Sequence, residues 1–169
     1  ATAVISIPAL AKEMAPKKSP EDESNRKQPD YLKAGDVGGI TAPAGHISLE
    51  GIASANQKLD EWGFKVVAGK TIGTQDFTFA ASDEERRKDF QTMLDDKNIK
   101  AILCGRGGYG AVRIIDDLDF STFKKHPKWI IGFSDITVLH CYVNGHLDIA
   151  SIHAKMCNSF PDDWNMADD

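Results

Sequence analysis

Ala101-Ile102-Leu103-Cys104 is an apolar run with no polar member. A strand with one solvated face alternates apolar and polar side chains. An unbroken run belongs to a strand covered on both faces, as in a parallel sheet. Trp129-Ile130-Ile131-Gly132 reads the same way. Between such runs lie segments with helical spacing. Residues 48–62 place Ile52, Ala55, Leu59 and Trp62 on one face, with Ser48 as cap and Gly63 as stop. Ser82-Asp83-Glu84-Glu85 has capping-box spacing and opens a helix whose buried side is Phe90, Met93 and Leu94. Helices are also predicted at 111–117 and 135–143, and strands at 36–42, 64–68 and 149–152. Gly38-Gly39 weaken the first strand. Strand and helix in alternation predict an α/β fold, a doubly wound, mostly parallel sheet. Ligands of such sheets bind beyond the carboxyl ends of the strands. The loops after residues 42, 104, 132 and 152 are therefore the ones to read for chemistry.

The chain has 169 residues, enough for one domain with a sizeable core. Its net charge of -5 gives no attraction for a phosphate backbone, which argues against a nucleic-acid partner. The His residues are scattered, and none pairs with Cys or carboxylates at zinc spacing, so no metal site is expected. Cys104, Cys141 and Cys157 are an odd number, form no CxxC and read as small buried hydrophobes. Residues 1–11 are apolar but too short to span a bilayer, so no integral membrane protein is expected. They read as a signal-peptide remnant, with Ala9-Leu10-Ala11 as cleavage site before Lys12. That reading implies export to the periplasm or envelope; a short strand or helical turn in a cytoplasmic protein is the alternative. Residues 12–30, dense in Lys, Glu, Pro, Ser and Asp, read as a solvated linker. The ordered α/β domain is expected over 31–153. Residues 154–169 read as the start of a connection to a further domain.

Three loops could carry chemistry. In Gly132-Phe133-Ser134-Asp135-Ile136-Thr137 a strand runs into Ser134 and a helix starts at once. That geometry lifts the hydroxyl from the sheet edge and directs free helix N–H groups above it. The Asp135 N–H would be an oxyanion donor, although Ile136 replaces the second Gly of the usual G-x-S-x-G elbow. A plain helix-capping role for Ser134 remains open from this segment alone. The loop Gly105-Arg106-Gly107-Gly108-Tyr109-Gly110 lets backbone approach a ligand, but matches neither a dinucleotide nor a Walker A pattern. It is either an oxyanion wall, an anion grip or a flexible connector. Thr41-Ala42-Pro43-Ala44-Gly45-His46 is a turn that could line the same cleft. His140 reads as a satisfied helix histidine, and His153 could border the cleft.

Together these motifs resemble a known family. Gly105-Arg106-Gly107-Gly108-Tyr109-Gly110-Ala111, Leu118-Asp119-Phe120, Pro127-Lys128, Gly132-Phe133-Ser134-Asp135-Ile136-Thr137-Val138-Leu139-His140 and Ser151-Ile152-His153 are similar to the N-terminal half of LD-carboxypeptidases (muramoyltetrapeptide carboxypeptidases). Leu32-Lys33-Ala34-Gly35-Asp36 and Thr41-Ala42-Pro43 resemble that family's start. The resemblance implies a flavodoxin-like or class I glutamine-amidotransferase-like N-terminal domain, followed in the family by a C-terminal domain that this sequence lacks. It implies Ser134 as nucleophile of a Ser-Glu-His triad, with Glu and His in that other domain. The oxyanion donors would be the N–H groups of Asp135 and Gly108. Beside the resemblance, Arg106 could pair with a substrate carboxylate or instead fix its loop through backbone carbonyls, and Gly107, Tyr109, Pro43 and His153 are expected to line the pocket. The implied reaction releases terminal D-alanine from L,D-linked murein tetrapeptides through an acyl-enzyme, without metal or cofactor, in a homodimer. The sequence departs from the family in His153-Ala154-Lys155-Met156, where His-Gly-Pro-Met is usual, and in Gly38-Gly39, where large aliphatics are usual. The microcin-immunity peptidases, which cleave an acyl-sulfamoyl adenylate, are a rival within the family. A non-catalytic anion-binding module is the rival outside it.

Overall fold

The structure is a computed structural model and describes residues 26–160. Five strands form one parallel sheet in the order β2-β1-β3-β4-β5. They are β1 (Val37–Thr41), β2 (Lys65–Ala68), β3 (Ile99–Cys104), β4 (Trp129–Gly132) and β5 (Ile152–His153). The helices are α1 (Ala53–Glu61), α2 (Asp83–Asp95), α3 (Ser121–Lys125) and α4 (Thr137–His146). Alternate residues of one strand face opposite sides of a sheet. Ile102 and Ile130 accordingly join Phe90, Met93, Leu94, Phe123, Leu139 and Val143, from α2, α3 and α4, in one core cluster. Leu103 joins Ile40, Ile52 and Ala55 in the other. This is the doubly wound α/β fold that the apolar runs predict. The strand order reverses between β1 and β3, so the crevice at that switch point lies between the loops that follow Thr41 and Cys104.

The capping box is present: Glu85 N–H donates to Ser82 Oγ at 3.3 Å, and Ser82 N–H donates to Glu85 Oε2 at 3.2 Å. Gly63 ends its helix with φ 84°, a left-handed stop. The glycines of β1 have a packing role. A Cβ on Gly39 would meet Met93 Sδ at 2.6 Å, so α2 lies directly on the strand. Gly38 faces the other way, into an apolar cavity of about 620 Å³ that Val37, Leu59, Leu103 and Ile131 also line.

Several local expectations are corrected. The helix expected over 48–62 is a 3-10 turn, Glu50–Ile52, followed by α1, and Trp62 lies beyond it, half exposed. Ser48 Oγ still accepts from Gly51 N–H at 3.0 Å. The expected helix at 111–117 is two 3-10 turns, Ala111–Arg113 and Ile115–Asp117, because Arg113 and Asp117 each bond back three residues. The short α3 has no counterpart in the sequence reading. Ile149 is outside β5 and makes an isolated parallel bridge with Lys27. The Trp129 indole donates to Asp30 O at 2.9 Å, so contacts of the domain reach back into the segment read as linker. Cys104 and Cys157 are buried, and burial raises both thiol pKa values, that of Cys157 to about 12. Cys141, expected to be buried, is on the solvent side of α4. Residues 1–25 and 161–169, which hold the expected signal remnant, most of the linker and part of the connection, lie outside the described residues. Among the described residues no helix is long and apolar enough to cross a membrane.

Candidate active site

Ser134 leaves the end of β4 in an uncommon conformation. Phe133 is extended, and Ser134 then adopts φ 59° before the 3-10 turn Ser134–Ile136 leads into α4. A left-handed non-glycine residue costs about 1–2 kcal/mol. The turn also brings Ile136 back over Gly132, where a Cβ would lie 2.9 Å from Ile136 Cγ2. One glycine therefore makes the room that a G-x-S-x-G elbow shares between two, which is how Ile136 is accommodated. Ser134 is exposed. It does not cap α4: the cap position is Ile136, without a side-chain bond. Among the described residues nothing hydrogen-bonds the Ser134 hydroxyl.

His140 supports this turn from below. Gly132 O can only accept, so His140 Nε2, 2.9 Å away, carries the proton. Nδ1 is then the acceptor for the Ser151 hydroxyl at 2.8 Å, and Asn144 Nδ2 donates to the same Ser151 oxygen at 2.9 Å. Burial holds the His140 pKa below the ordinary histidine value, which keeps this neutral tautomer. His140 is thus the satisfied helix histidine that the sequence reading expects.

The glycine loop forms the wall against Ser134. A Cβ on Gly107 would lie 3.0 Å from Ser134 Oγ and 3.4 Å from Asp135 N. Glycine is needed there because the two backbones meet. Gly45 N–H donates to Gly107 O at 3.0 Å. The carbonyl and the following N–H of one peptide plane point in opposite directions, so this bond turns the Gly108 N–H away from Gly45. Gly108 has φ 110°, and among the described residues its N–H has no acceptor. The Asp135 carboxylate accepts from Ala111 N–H at 2.9 Å, which ties the far end of the loop to the Ser134 turn. A hydroxyl at the mouth of a strand-to-helix turn, with the glycine loop against it, is an arrangement that suits acyl transfer.

The other expected pocket residues lie on the loops after β1 and β3 and at the end of β5. Arg106 Nη1 donates to His46 O at 3.3 Å and the side chain is otherwise exposed. Tyr109 is exposed, its ring 6.2 Å from that of Phe79. His153 is exposed beside Phe133, ring centroids 6.3 Å apart. Pro43 is buried, and its carbonyl accepts from Arg86 at 2.6 Å. Among the described residues no cluster of His, Cys, Asp and Glu could hold a metal.

Sequence reasoning missed two buried charges on α2. Arg86 is fully buried, and its Nη1 donates to Gly110 O at 2.9 Å as well as to Pro43 O. Asp89 accepts from Thr41 Oγ1 at 2.7 Å, Thr71 Oγ1 at 2.6 Å and Lys70 N–H at 2.8 Å. The signal was present: Arg86 stands four residues before Phe90 and Asp89 four before Met93, so helical spacing puts both on the apolar face.

Comparison with known proteins identifies the family. The model of the LD-carboxypeptidase N-terminal domain matches residues 39–154. A probable murein peptide carboxypeptidase of Bacillus subtilis is 36% identical over 132 residues, covering 78% of this chain and 41% of that protein. The microcin self-immunity protein MccF of Escherichia coli is 31% identical, covering 73% of this chain and 34% of that protein. An MccF-like protein from Bacillus anthracis superposes with a TM-score of 0.71 at 28% identity, covering 79% of this chain and 41% of that one. The chain thus spans between 34% and 41% of the length of these relatives. By the matched region, the parallel sheet and the strand-to-helix turn at Ser134, the chain belongs to the LD-carboxypeptidase family, as its N-terminal domain.

Proposed function

We propose that this chain is the nucleophile-bearing part of a serine carboxypeptidase that releases terminal D-alanine from L,D-linked murein tetrapeptides in cell-wall recycling. The observation that carries the proposal is the left-handed Ser134 turn packed against Gly107, where the N–H groups of Asp135 and Gly108 have no acceptor among the described residues. Ser134 Oγ attacks the carbonyl before D-alanine, and those two N–H groups hold the oxyanion. One such donor is worth about 3 kcal/mol in the transition state. The acyl-enzyme is then hydrolysed by water, and the step needs no metal or cofactor. Arg106, whose remaining donors are exposed, pairs with a substrate carboxylate, and Gly107, Tyr109 and His153 line its path.

No described base touches Ser134, which supports placing the activating Glu and His outside these 169 residues. The 169-residue piece alone is then inactive, and the full protein works as an exported homodimer. Incubating the full protein with murein tetrapeptide and following D-alanine by mass spectrometry tests the proposal. Release is expected, with loss in Ser134→Ala; full release by Ser134→Ala overturns the assignment. Sequencing the mature N-terminus tests export, which predicts Lys12 as first residue.

The likeness to MccF favours a second reading, cleavage of an acyl-sulfamoyl adenylate. A solved MccF structure, of TM-score 0.68 and 26% identity to this chain, holds aspartyl sulfamoyl adenosine. Cleavage of that compound, with the murein tetrapeptide left intact, would decide for it.

A further inference from the structure

The buried Arg86 side chain joins the glycine loop facing Ser134 to the loop after β1. Its Nη1 donates to Gly110 O, at the end of the glycine loop, at 2.9 Å. The same nitrogen donates to Pro43 O at 2.6 Å, in the loop whose Gly45 N–H holds Gly107 O. Its Nε donates to Ala81 O at 3.1 Å, and its Nη2 pairs with Asp83. Asp83 in turn accepts from Arg113 Nη2 at 2.6 Å, just beyond Gly110. The guanidinium lies 5.0 Å from the centroid of the Phe79 ring. Gly110 is adapted to it, since a Cβ there would lie 2.7 Å from Arg86 Nη1. Desolvation lowers the Arg86 pKa from the ordinary arginine value, with the Asp83 carboxylate opposing it, but a guanidinium stays protonated in proteins.

A helix-packing residue at this position needs no charge, and the apolar neighbours Phe90 and Met93 show what packing alone uses. A buried cation is retained where several carbonyls must be held at once, because a planar fork reaches them in fixed directions. We infer that Arg86 is a positioning residue for the reaction at Ser134: its buried guanidinium sets the Pro43 and Gly110 carbonyls and so fixes the Gly107–Gly108 peptide that presents an oxyanion donor. The inference rests on the proposed acyl-transfer reading for its catalytic consequence, but its structural half stands apart from it. Lysine at this position keeps the charge and loses the fork.

The test uses the full protein and two readouts. Hydrogen exchange of the peptide covering residues 105–112 reads loop order independently of any chemistry. The rate of Ser134 labelling by a fluorophosphonate, with kcat and KM on tetrapeptide, reads the consequence. Arg86→Lys is expected to exchange about 10-fold faster in this loop. Labelling and kcat are expected to fall about 10- to 100-fold while KM moves less than about 3-fold. Wild-type exchange and a wild-type labelling rate in folded Arg86→Lys overturn the inference. Should that variant fail to fold, Asp83→Asn decides: it removes the guanidinium's charged partner at a partly exposed position. Faster loop exchange in Asp83→Asn supports the inference, and unchanged exchange overturns it. A wild-type protein that takes no label at Ser134 refutes the acyl-transfer reading instead, and the exchange arm still rules on Arg86.

Discussion

The two sides of the candidate site are built differently. The Ser134 turn is shaped by near neighbours: Gly132, Phe133, Ile136 and His140 lie within a few positions of it, and the constraint is steric. The glycine wall is shaped from afar, by Gly45, Arg86 and Asp135, which reach it from other loops and from α2. A local turn of this kind persists wherever the strand-to-helix junction forms. The wall has its geometry only once β1, α2 and β4 are all in place. Damage to the turn should therefore register as lost stability, and damage to the wall as lost chemistry.

The largest effect is expected where the two sides touch. Gly107→Ala puts a methyl group 3.0 Å from Ser134 Oγ, on a residue outside any strand or helix. Fluorophosphonate labelling of the full protein should slow about 100-fold, the scale of a misplacement near 1 Å. The urea midpoint should move little, and a large loss of stability would break the comparison. Gly132→Ala should do the reverse, because its methyl group meets Ile136 Cγ2 at 2.9 Å. Overpacking of this kind costs about 1–3 kcal/mol. Adding Ile136→Val should recover part of that loss in urea denaturation, and simple additivity of the two would show that the clash is not local.

Ser134→Gly sharpens the contrast further. It removes the side chain from a residue held at φ 59° and should stabilise the domain by about 1 kcal/mol while abolishing labelling. A thermal melt compared with Ser134→Ala isolates the backbone part. The smallest effect concerns pH. His140 has a folded pKa below its ordinary 6.5, mainly because of burial. As pH falls below about 6.5 the unfolded chain takes up the proton first, so stability declines until the folded pKa is passed. Urea midpoints from pH 7.5 down to 5 should fall more in the wild type than in His140→Gln. Equal slopes would remove His140 as the support beneath Gly132.

The fold was legible because its signals are local. Unbroken apolar runs at Ala101-Ile102-Leu103-Cys104 and Trp129-Ile130-Ile131-Gly132 demand a sheet covered on both faces, and both stand as strands. Ser82 and Glu85 cap α2 at the spacing the sequence shows. Where local signals are weak the reading slipped. Residues 111–117 carry helical residue types but form 3-10 turns, one pinned by the Asp135 carboxylate at Ala111 N–H. Pro43 looked like a pocket residue from its place after a strand, yet its side is buried and its carbonyl belongs to Arg86.

Sequence by itself thus determined the strand order's raw material, the position of Ser134 between strand and helix, and the family, since each rests on residues adjacent in the chain. Only the tertiary structure decided that Gly107 abuts Ser134, that His140 is neutral and that a buried arginine spans two loops. The His140 contacts span 8 and 11 positions, and the other two facts depend on contacts 24 to 43 positions apart, Gly107 with Ser134 and Arg86 with Gly110 and Pro43; distance along a chain carries no information about which carbonyl a side chain will meet.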